Sequence, residues 1–172
     1  MELNRTDDQL LAKGGEVAAV PFKLKKILVP TDFSSCSQKA LQYAIPLAKQ
    51  FSASLTLLHV VKPISDSGEI GMGMVAFPED EVRGFCEKRI SAMARTEVGG
   101  RAPTMTVVRL GQPVSEIIDA AREQEIDLII MSTHGHTGLK HVLLGSVTEN
   151  VVRYAKCPVL VVREREHEFI SS

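Results

Sequence analysis

Two short polar segments in the C-terminal half of the chain contain the residue types that bind anions. The first is the loop Ser132–Gly138, with the sequence Ser-Thr-His-Gly-His-Thr-Gly, and the second is Gly145–Thr148, with the sequence Gly-Ser-Val-Thr. Glycine lets a ligand approach backbone amides closely, and serine and threonine hydroxyls add donors. Because Gly145–Thr148 opens a helical pattern, the free amides of a helix N-terminus are expected there as well. Together the two segments predict a phosphate-binding site.

A third polar segment, Thr31-Asp32, directly follows the apolar run Lys26–Pro30. Each polar segment also has an ordinary structural explanation, which stays open at this point. Asp32 and Ser146 could be helix N-caps, and the glycines could be turn residues. Two anion-binding turns in succession after one strand favour the binding interpretation.

Short apolar runs alternate with segments of helical spacing along most of the chain. The runs have the length of strands and the near-continuous hydrophobicity of strands buried on both faces. They are Lys26–Pro30, Leu55–Val61, Thr104–Leu110, Asp127–Met131 and Pro158–Val162, predicted as strands one to five.

Four helices are predicted between these strands from apolar residues three and four positions apart. The first starts after Phe33 and contains Pro46, which is expected to kink it. The others are Glu79–Val98, a helix starting at Pro113, and Ser146–Ala155.

Five strands alternating with four helices predict an α/β fold. The expected architecture is a single-domain, Rossmann-like, five-stranded parallel sheet with helices on both faces and right-handed crossovers. In such sheets ligands bind beyond the carboxyl ends of the strands, where the strand order reverses. Thr31-Asp32 and Ser132–Gly138 follow strands one and four, so the predicted site lies at these two strand ends.

The chain of 172 residues has the length of one domain. Residues 1–24 show no clear periodicity and are expected to be a flexible extension, and residues 164–172 a solvated tail. The domain itself is predicted over residues 25–163. Lys62–Pro78, rich in glycine, serine and methionine, is expected to be a long loop.

Composition and sequence patterns argue against nucleic-acid binding, disulfide bonds and membrane spans. Twenty Lys and Arg against 21 Asp and Glu give a net charge of −1, which does not favour nucleic-acid binding. The cysteines, Cys36, Cys86 and Cys157, are far apart and form no CxxC motif, so a reducing cytoplasm is expected. The sequence shows no signal-peptide pattern and no apolar stretch of about 20 residues, so no membrane association is predicted.

The spacing Ser132-x2-Gly135-x9-Gly145-Ser146 resembles the Gly-x2-Gly-x9-Gly-Ser/Thr motif of nucleotide-binding members of the universal stress protein family. Ser132 stands in place of the first glycine. Three further segments resemble the family's first, second and last strands and follow in the expected order over about residues 25–163. They are Val29–Ser34, Leu57–Val60 and Cys157–Val162.

The resemblance implies the strand order 3-2-1-4-5 and a site for ATP, or for ADP or AMP, with Mg²⁺ bridging the phosphates. Asp32 would accept a hydrogen bond from the adenine amino group, the backbones of Pro30 and Val60 would line the base, and Met131 would pack near the nucleoside. The residues implied around ribose and phosphates are Ser132, His134, Gly135, Gly145, Ser146, Val147 and Thr148. The complete candidate set adds Thr31, Thr133, His136, Thr137 and Gly138.

The resemblance also implies a homodimer. As an edge strand, strand five would expose unpaired backbone groups, and pairing with a second copy would cover them. The residues of this predicted interface are Val159, Leu160, Val161 and Val162.

Enzymatic activity and metal binding have less support. The sequence lacks the Gly-x-Ser-x-Gly and Gly-x4-Gly-Lys-Ser/Thr motifs, so no catalytic residue is predicted and ATP turnover is expected to be slow at most. His134, His136 and His141 do not have a recognised metal-binding spacing. His59 is interpreted as a hydrogen-bonded histidine in the core or near the site.

Two functions stay open: a nucleotide-binding stress or regulatory module, and a nucleotide-free dimeric interaction protein of the same fold.

Overall fold

The computed structural model describes residues 23–63, 78–133 and 144–163, in which it contains a sheet flanked by helices. Residues 1–22 of the predicted N-terminal extension, most of the loop Lys62–Pro78, His134–Gly138 and the C-terminal tail lie outside the described residues. Leu24, which the prediction assigned to the extension, is buried in the core. The elements are β1 Lys26–Pro30, α1 Ser35–Phe51, β2 Ser54–Val61, α2 Glu79–Met93, β3 Thr104–Leu110, α3 Pro113–Glu123, β4 Leu128–Ser132, α4 Ser146–Tyr154 and β5 Val159–Val162.

The five strands form one parallel sheet in the order β3-β2-β1-β4-β5. β1 lies at the centre, with Leu28 opposite Thr56 of β2 and Ile129 of β4. Ile27, Leu28 and Val29 of β1 are fully buried, as a strand covered on both faces requires. The predicted fold class and strand order are therefore confirmed.

Helices cover both faces of the sheet. Alternate residues of a strand point to opposite faces, so Ile27 and Val29 pack with α1 and α2, whereas Leu28 packs with α3 and α4. α1 and α2 contribute Leu41 and Ile90 to the first core, among other residues. The second core contains, from α3 and α4, Ile117, Ala120, Ala121 and Val151.

Several element boundaries differ slightly from the prediction. β4 begins at Leu128, one residue later than predicted, and Oδ2 of the preceding Asp127 accepts hydrogen bonds from the amides of Lys25 and Lys26, each at 2.8 Å. The helix predicted to end at Val98 leaves the α conformation after Met93 and finishes in a five-residue π-helical turn, Ala94–Val98. α4 ends at Tyr154, one residue earlier than predicted.

Cys36, Cys86 and Cys157, the three cysteines of the chain, are free in this structure. No helix within the described ranges is long and apolar enough to cross a membrane.

Gly111 joins β3 to α3 in a conformation that side chains rarely adopt. Its φ is 148°, and an added Cβ would lie 2.7 Å from Oε1 of Glu116. We expect Gly111→Ala to lower the free energy of unfolding by about 1–3 kcal/mol, because both the backbone and Glu116 must adjust. Urea titration measures this change.

Gly84→Ala is the matched control, because Gly84 lies in α2 and nothing lies within 4 Å of a Cβ added there. Alanine favours the helix more than glycine does, so this variant should gain about 0.5–1 kcal/mol of stability. Equal stability of Gly111→Ala and the unsubstituted chain would contradict the strain at Gly111.

Candidate functional site

A cleft of about 330 Å³ opens at the carboxyl ends of β1 and β4. These strands are neighbours, and the strand order reverses between them, because the chain proceeds from β1 to β2 on one side and from β4 to β5 on the other. The cleft therefore lies at the switch point where α/β sheets bind ligands. Its lining residues are Pro30, Thr31, Asp32, Ser37, Leu58, His59, Val60, Lys62, Pro113, Ile117, Met131, Ser132, Thr133, Gly145, Ser146, Val147 and Thr148.

The cleft brings together every candidate site residue that the structure describes. Those residues come from the ends of β1, β2 and β4 and from the first turn of α4, and their binding roles stay predictions. They are Pro30, Thr31, Asp32, Val60, Met131, Ser132, Thr133, Gly145, Ser146, Val147 and Thr148. The remaining candidates, His134, Gly135, His136, Thr137 and Gly138, lie outside the described residues.

Asp32 lies in a turn that connects β1 to α1. Its Oδ1 accepts hydrogen bonds from the amide of Ser34 at 3.0 Å and from the Ser34 hydroxyl at 2.5 Å. The N-cap of α1 is Ser34, whose Oγ accepts from the amide of Ser37 at 3.2 Å. The alternative in which Asp32 itself caps the helix is therefore wrong. Asp32 organises the turn and is one of the residues that line the cleft.

The turn is closed by a strained residue. Phe33 has φ 64°, in the left-handed region, which costs a bulky residue about 1–3 kcal/mol. The amide of Phe33 donates to Oγ1 of Thr31 at 3.0 Å, and this hydroxyl lies 3.0 Å from Oγ of Ser37. Local hydrogen bonds thus hold the chain in a conformation that it does not favour intrinsically.

The start of α4 is fixed to the end of β4 by two hydrogen bonds. The amide of Gly145 donates to the carbonyl of Thr133 at 2.8 Å, and Oγ1 of Thr148 donates to the carbonyl of Ser132 at 2.8 Å. Gly145 is the N-cap of α4, so the alternative with Ser146 as cap is wrong. The first amides of a helix have no intrahelical acceptor, and those of α4 adjoin the cleft. This arrangement can hold an anion.

Ser132 replaces the glycine of the resembled motif without backbone strain. It is the last residue of β4 and is buried. The non-glycine residues with positive φ in the described ranges are Phe33, Ser52 and Glu125, so position 132 has no need of glycine for its backbone conformation.

Several lining residues were not predicted from the sequence. Pro113 and Ile117 belong to α3 and lie four positions apart. This spacing is found both in helix residues that face the core and in those that line a cleft, so it does not predict a site. Lys62 immediately follows β2, so the strand-end rule that selected Thr31-Asp32 would also have found it. The full set of unpredicted lining residues is Ser37, Leu58, Lys62, Pro113 and Ile117.

His59 is a hydrogen-bonded histidine near the site, as interpreted from the sequence. Its Nδ1 lies 2.8 Å from the carbonyl oxygen of Thr31, and its ring packs against Phe33 with centroids 4.4 Å apart. Burial lowers the pKa of His59 below its ordinary value of 6.5. The Thr31 carbonyl and the Asp32 charge oppose this shift, whereas Arg89 adds to it.

The described residues contain no group of three or more His, Cys, Asp or Glu side chains that could hold a metal ion. His134, His136 and His141 are not among these residues.

The strand order and the position of the cleft define a Rossmann-like α/β protein with a candidate ligand site at its switch point. The model of the universal stress protein family matches residues 23–163. Universal stress proteins of Methanocaldococcus jannaschii and Bacillus subtilis are 37% and 36% identical over 151 and 145 residues. These alignments cover 84% and 80% of this chain, and 85% and 98% of the two relatives. The chain belongs to the universal stress protein family.

Solved structures share the fold. Universal stress protein UspA from Lactobacillus plantarum has a TM-score of 0.67 and 29% identity, over 83% of this chain and 100% of that one. A universal stress protein in complex with cAMP has a TM-score of 0.62 and 23% identity, over 83% and 98%. One from Archaeoglobus fulgidus in complex with dAMP has a TM-score of 0.58 and 17% identity, over 81% and 98%. The two complexes establish a common fold with this chain.

The lowered pKa of His59 makes stability depend on pH. Between its pKa in the folded chain and 6.5, His59 binds more protons in the unfolded chain than in the folded chain. The contribution of neutral, buried His59 to the free energy of unfolding is therefore complete above pH 6.5 and is lost as the pH falls through the folded-state pKa. We expect the free energy of unfolding to fall more between about pH 7.5 and 5.5 in the unsubstituted chain than in His59→Asn. Urea titrations across this range measure the difference, and parallel curves would contradict it.

Proposed function

We propose that the protein is a regulatory universal stress protein that binds ATP, ADP or AMP in the cleft between the ends of β1 and β4. The observation that carries this proposal is that one cleft is lined both by Asp32, an acidic residue, and by the first turn of α4. A carboxylate accepts from an amino group, and free helix amides favour an anion. An adenine nucleotide presents both kinds of group.

Apolar walls provide a surface for the base. Leu58, Val60, Ile117 and Met131 line the cleft, and all four belong to the core on the α3 and α4 side of the sheet. The volume of about 330 Å³ falls within the range of about 300–1,000 Å³ typical of small-molecule sites. Asp32 accepts from an amino group but repels a carbonyl oxygen, so the site should prefer adenine to guanine.

The phosphates are assigned to the start of α4, beside Ser146, Val147 and Thr148. Mg²⁺ would bridge phosphate oxygens and keep most of its water ligands, which is its usual mode with nucleotides. The cAMP and dAMP complexes of structural neighbours support the proposal, because they place adenine nucleotides on the same fold.

The proposal assigns no catalytic residue and at most slow ATP hydrolysis. It places the protein in the cytoplasm, an assignment supported by three free cysteines in a chain that forms no disulfide.

ATP with Mg²⁺ should raise the melting temperature, because a ligand that binds only the folded state stabilises it. GTP should raise it less. Ser146→Ala removes one hydroxyl donor and should weaken ATP binding by about 0.5–1.5 kcal/mol. Thermal shift and calorimetric titration measure both effects, and release of adenine nucleotide from denatured protein is an independent test.

Ser91→Ala on α2, which lines a separate groove beside β3, is the control and should bind ATP normally. An unchanged melting temperature in millimolar ATP, with no released nucleotide, would instead favour the nucleotide-free interaction protein.

We also propose that two copies pair through β5. β3 and β5 are the edge strands of the sheet in the described part of the chain. Val159, Leu160 and Val161 of β5 are half-buried, and Val152 and Tyr154 of the neighbouring α4 are exposed apolar residues. An edge of this kind is normally covered, and a two-fold pair would cover it.

Val161→Lys should convert the dimer to a monomer, because the substitution places a charge in the paired edge. Met105→Lys is the matched control: Met105 is half-exposed on β3, the opposite edge strand. Analytical ultracentrifugation of the three proteins measures their association. A monomeric unsubstituted chain, or equal dissociation of both variants, would contradict pairing through β5.

A further inference from the structure

The turn that carries Asp32 is held by two consecutive residues of β2. The amide of Thr31 donates to the carbonyl of Leu58 at 2.8 Å, and the carbonyl of Thr31 accepts from Nδ1 of His59 at 2.8 Å. A carbonyl oxygen can only accept, so Nδ1 of His59 carries the proton. Both backbone polar groups of Thr31 are thereby bonded to β2.

His59 also contacts the residue on the other side of Asp32. Its ring lies at 37° to the ring of Phe33, with centroids 4.4 Å apart, and Cζ of Arg89 lies 4.3 Å from the centroid of Phe33. Phe33 keeps its left-handed φ of 64° while contacting both side chains. A strained conformation persists only where its surroundings determine it, and here His59 and Arg89 provide those surroundings.

We propose that His59 is a positioning residue for base recognition: by holding Thr31 and Phe33, it fixes the direction of the Asp32 carboxylate between them. The inference rests on the proposed function, because it concerns selectivity for adenine. A recognition group needs support from neighbouring residues to keep its geometry. Ser34 fixes Oδ1 of Asp32 from within the turn, and His59 fixes the turn relative to the sheet.

Loss of His59 should therefore change selectivity as well as stability. Without the imidazole, the carbonyl of buried Thr31 loses this donor and Phe33 loses a packing partner. The carboxylate of Asp32 then samples several directions, which weakens the interaction with an adenine amino group more than any interaction with guanine. A residue that only stabilised the fold would leave the ratio of the two affinities unchanged.

The test compares His59→Leu with His59→Asn by calorimetric titration of ATP and GTP. Leucine removes the donor, whereas the asparagine amide restores a donor near the position of Nδ1. We expect His59→Leu to reduce the ATP-to-GTP affinity ratio by roughly fivefold, about 1 kcal/mol. His59→Asn should retain most of the ratio. Adding His59→Leu to Asp32→Asn should reduce the ratio no further, because both substitutions act through the same carboxylate.

Val98→Ala is the control for general destabilisation, because Val98 is buried in the core on the same side of the sheet as His59. It should lower the melting temperature and leave the affinity ratio unchanged. An unchanged ratio in His59→Leu, or a ratio in His59→Asn as low as in His59→Leu, would overturn the proposal.

Hydrogen exchange without ligand separates this proposal from the proposed function. The amides of Phe33 and Ser34 donate to Thr31 Oγ1 and Asp32 Oδ1, each at 3.0 Å. In His59→Leu these two amides should exchange faster, and in His59→Asn they should not. If the unsubstituted chain binds neither nucleotide, the proposed function and the selectivity role both fail. Unchanged exchange in His59→Leu overturns the positioning role, whatever the chain binds.

Discussion

The burial of β1 on both faces is the constraint from which the rest of the structure follows. β1 pairs with β2 on one side and β4 on the other, and helices cover it above and below. The chain leaves β1 toward α1 on one face, whereas α4 follows β4 on the opposite face. The space beyond the ends of these two strands is therefore left open, and the cleft at that place is a consequence of topology.

The turn after β1, which borders the cleft, is held in place by hydrogen bonds and side-chain packing. The chain must change direction between Pro30 and Ser35, and it does so with Phe33 in the left-handed region. Thr31, Ser34 and Ser37 supply short side chains that hydrogen-bond to nearby backbone or to each other, and His59 adds a contact from β2. The polar residues of this segment therefore stabilise the turn, and this structural role is compatible with ligand binding.

The sequence predicted the elements well, because hydrophobic periodicity reports burial and the central strands β1, β2 and β4 are mostly buried. It could not show that α3 contributes Pro113 and Ile117 to the cleft, since a residue facing a cleft and a residue facing the core have the same spacing. It also could not show whether Asp32 or Ser34 caps α1, or that Asp127 bonds to the start of β1. These outcomes depend on which side chains meet after the sheet has formed.

At Ser132, the first position of the resembled motif, the backbone conformation does not require glycine. The first motif position is the end of β4, and its contribution to the junction with α4 is a carbonyl that accepts from Thr148. Every residue has that carbonyl, and the φ at position 132 is one that any residue can adopt. At Gly145 the residue type does matter, because a serine, threonine or aspartate at the N-cap would accept hydrogen bonds from the first amides of α4. Glycine has no side chain, so no N-cap side chain occupies these amides. A serine at the first position is therefore compatible with the junction that places the first amides of α4 beside the cleft.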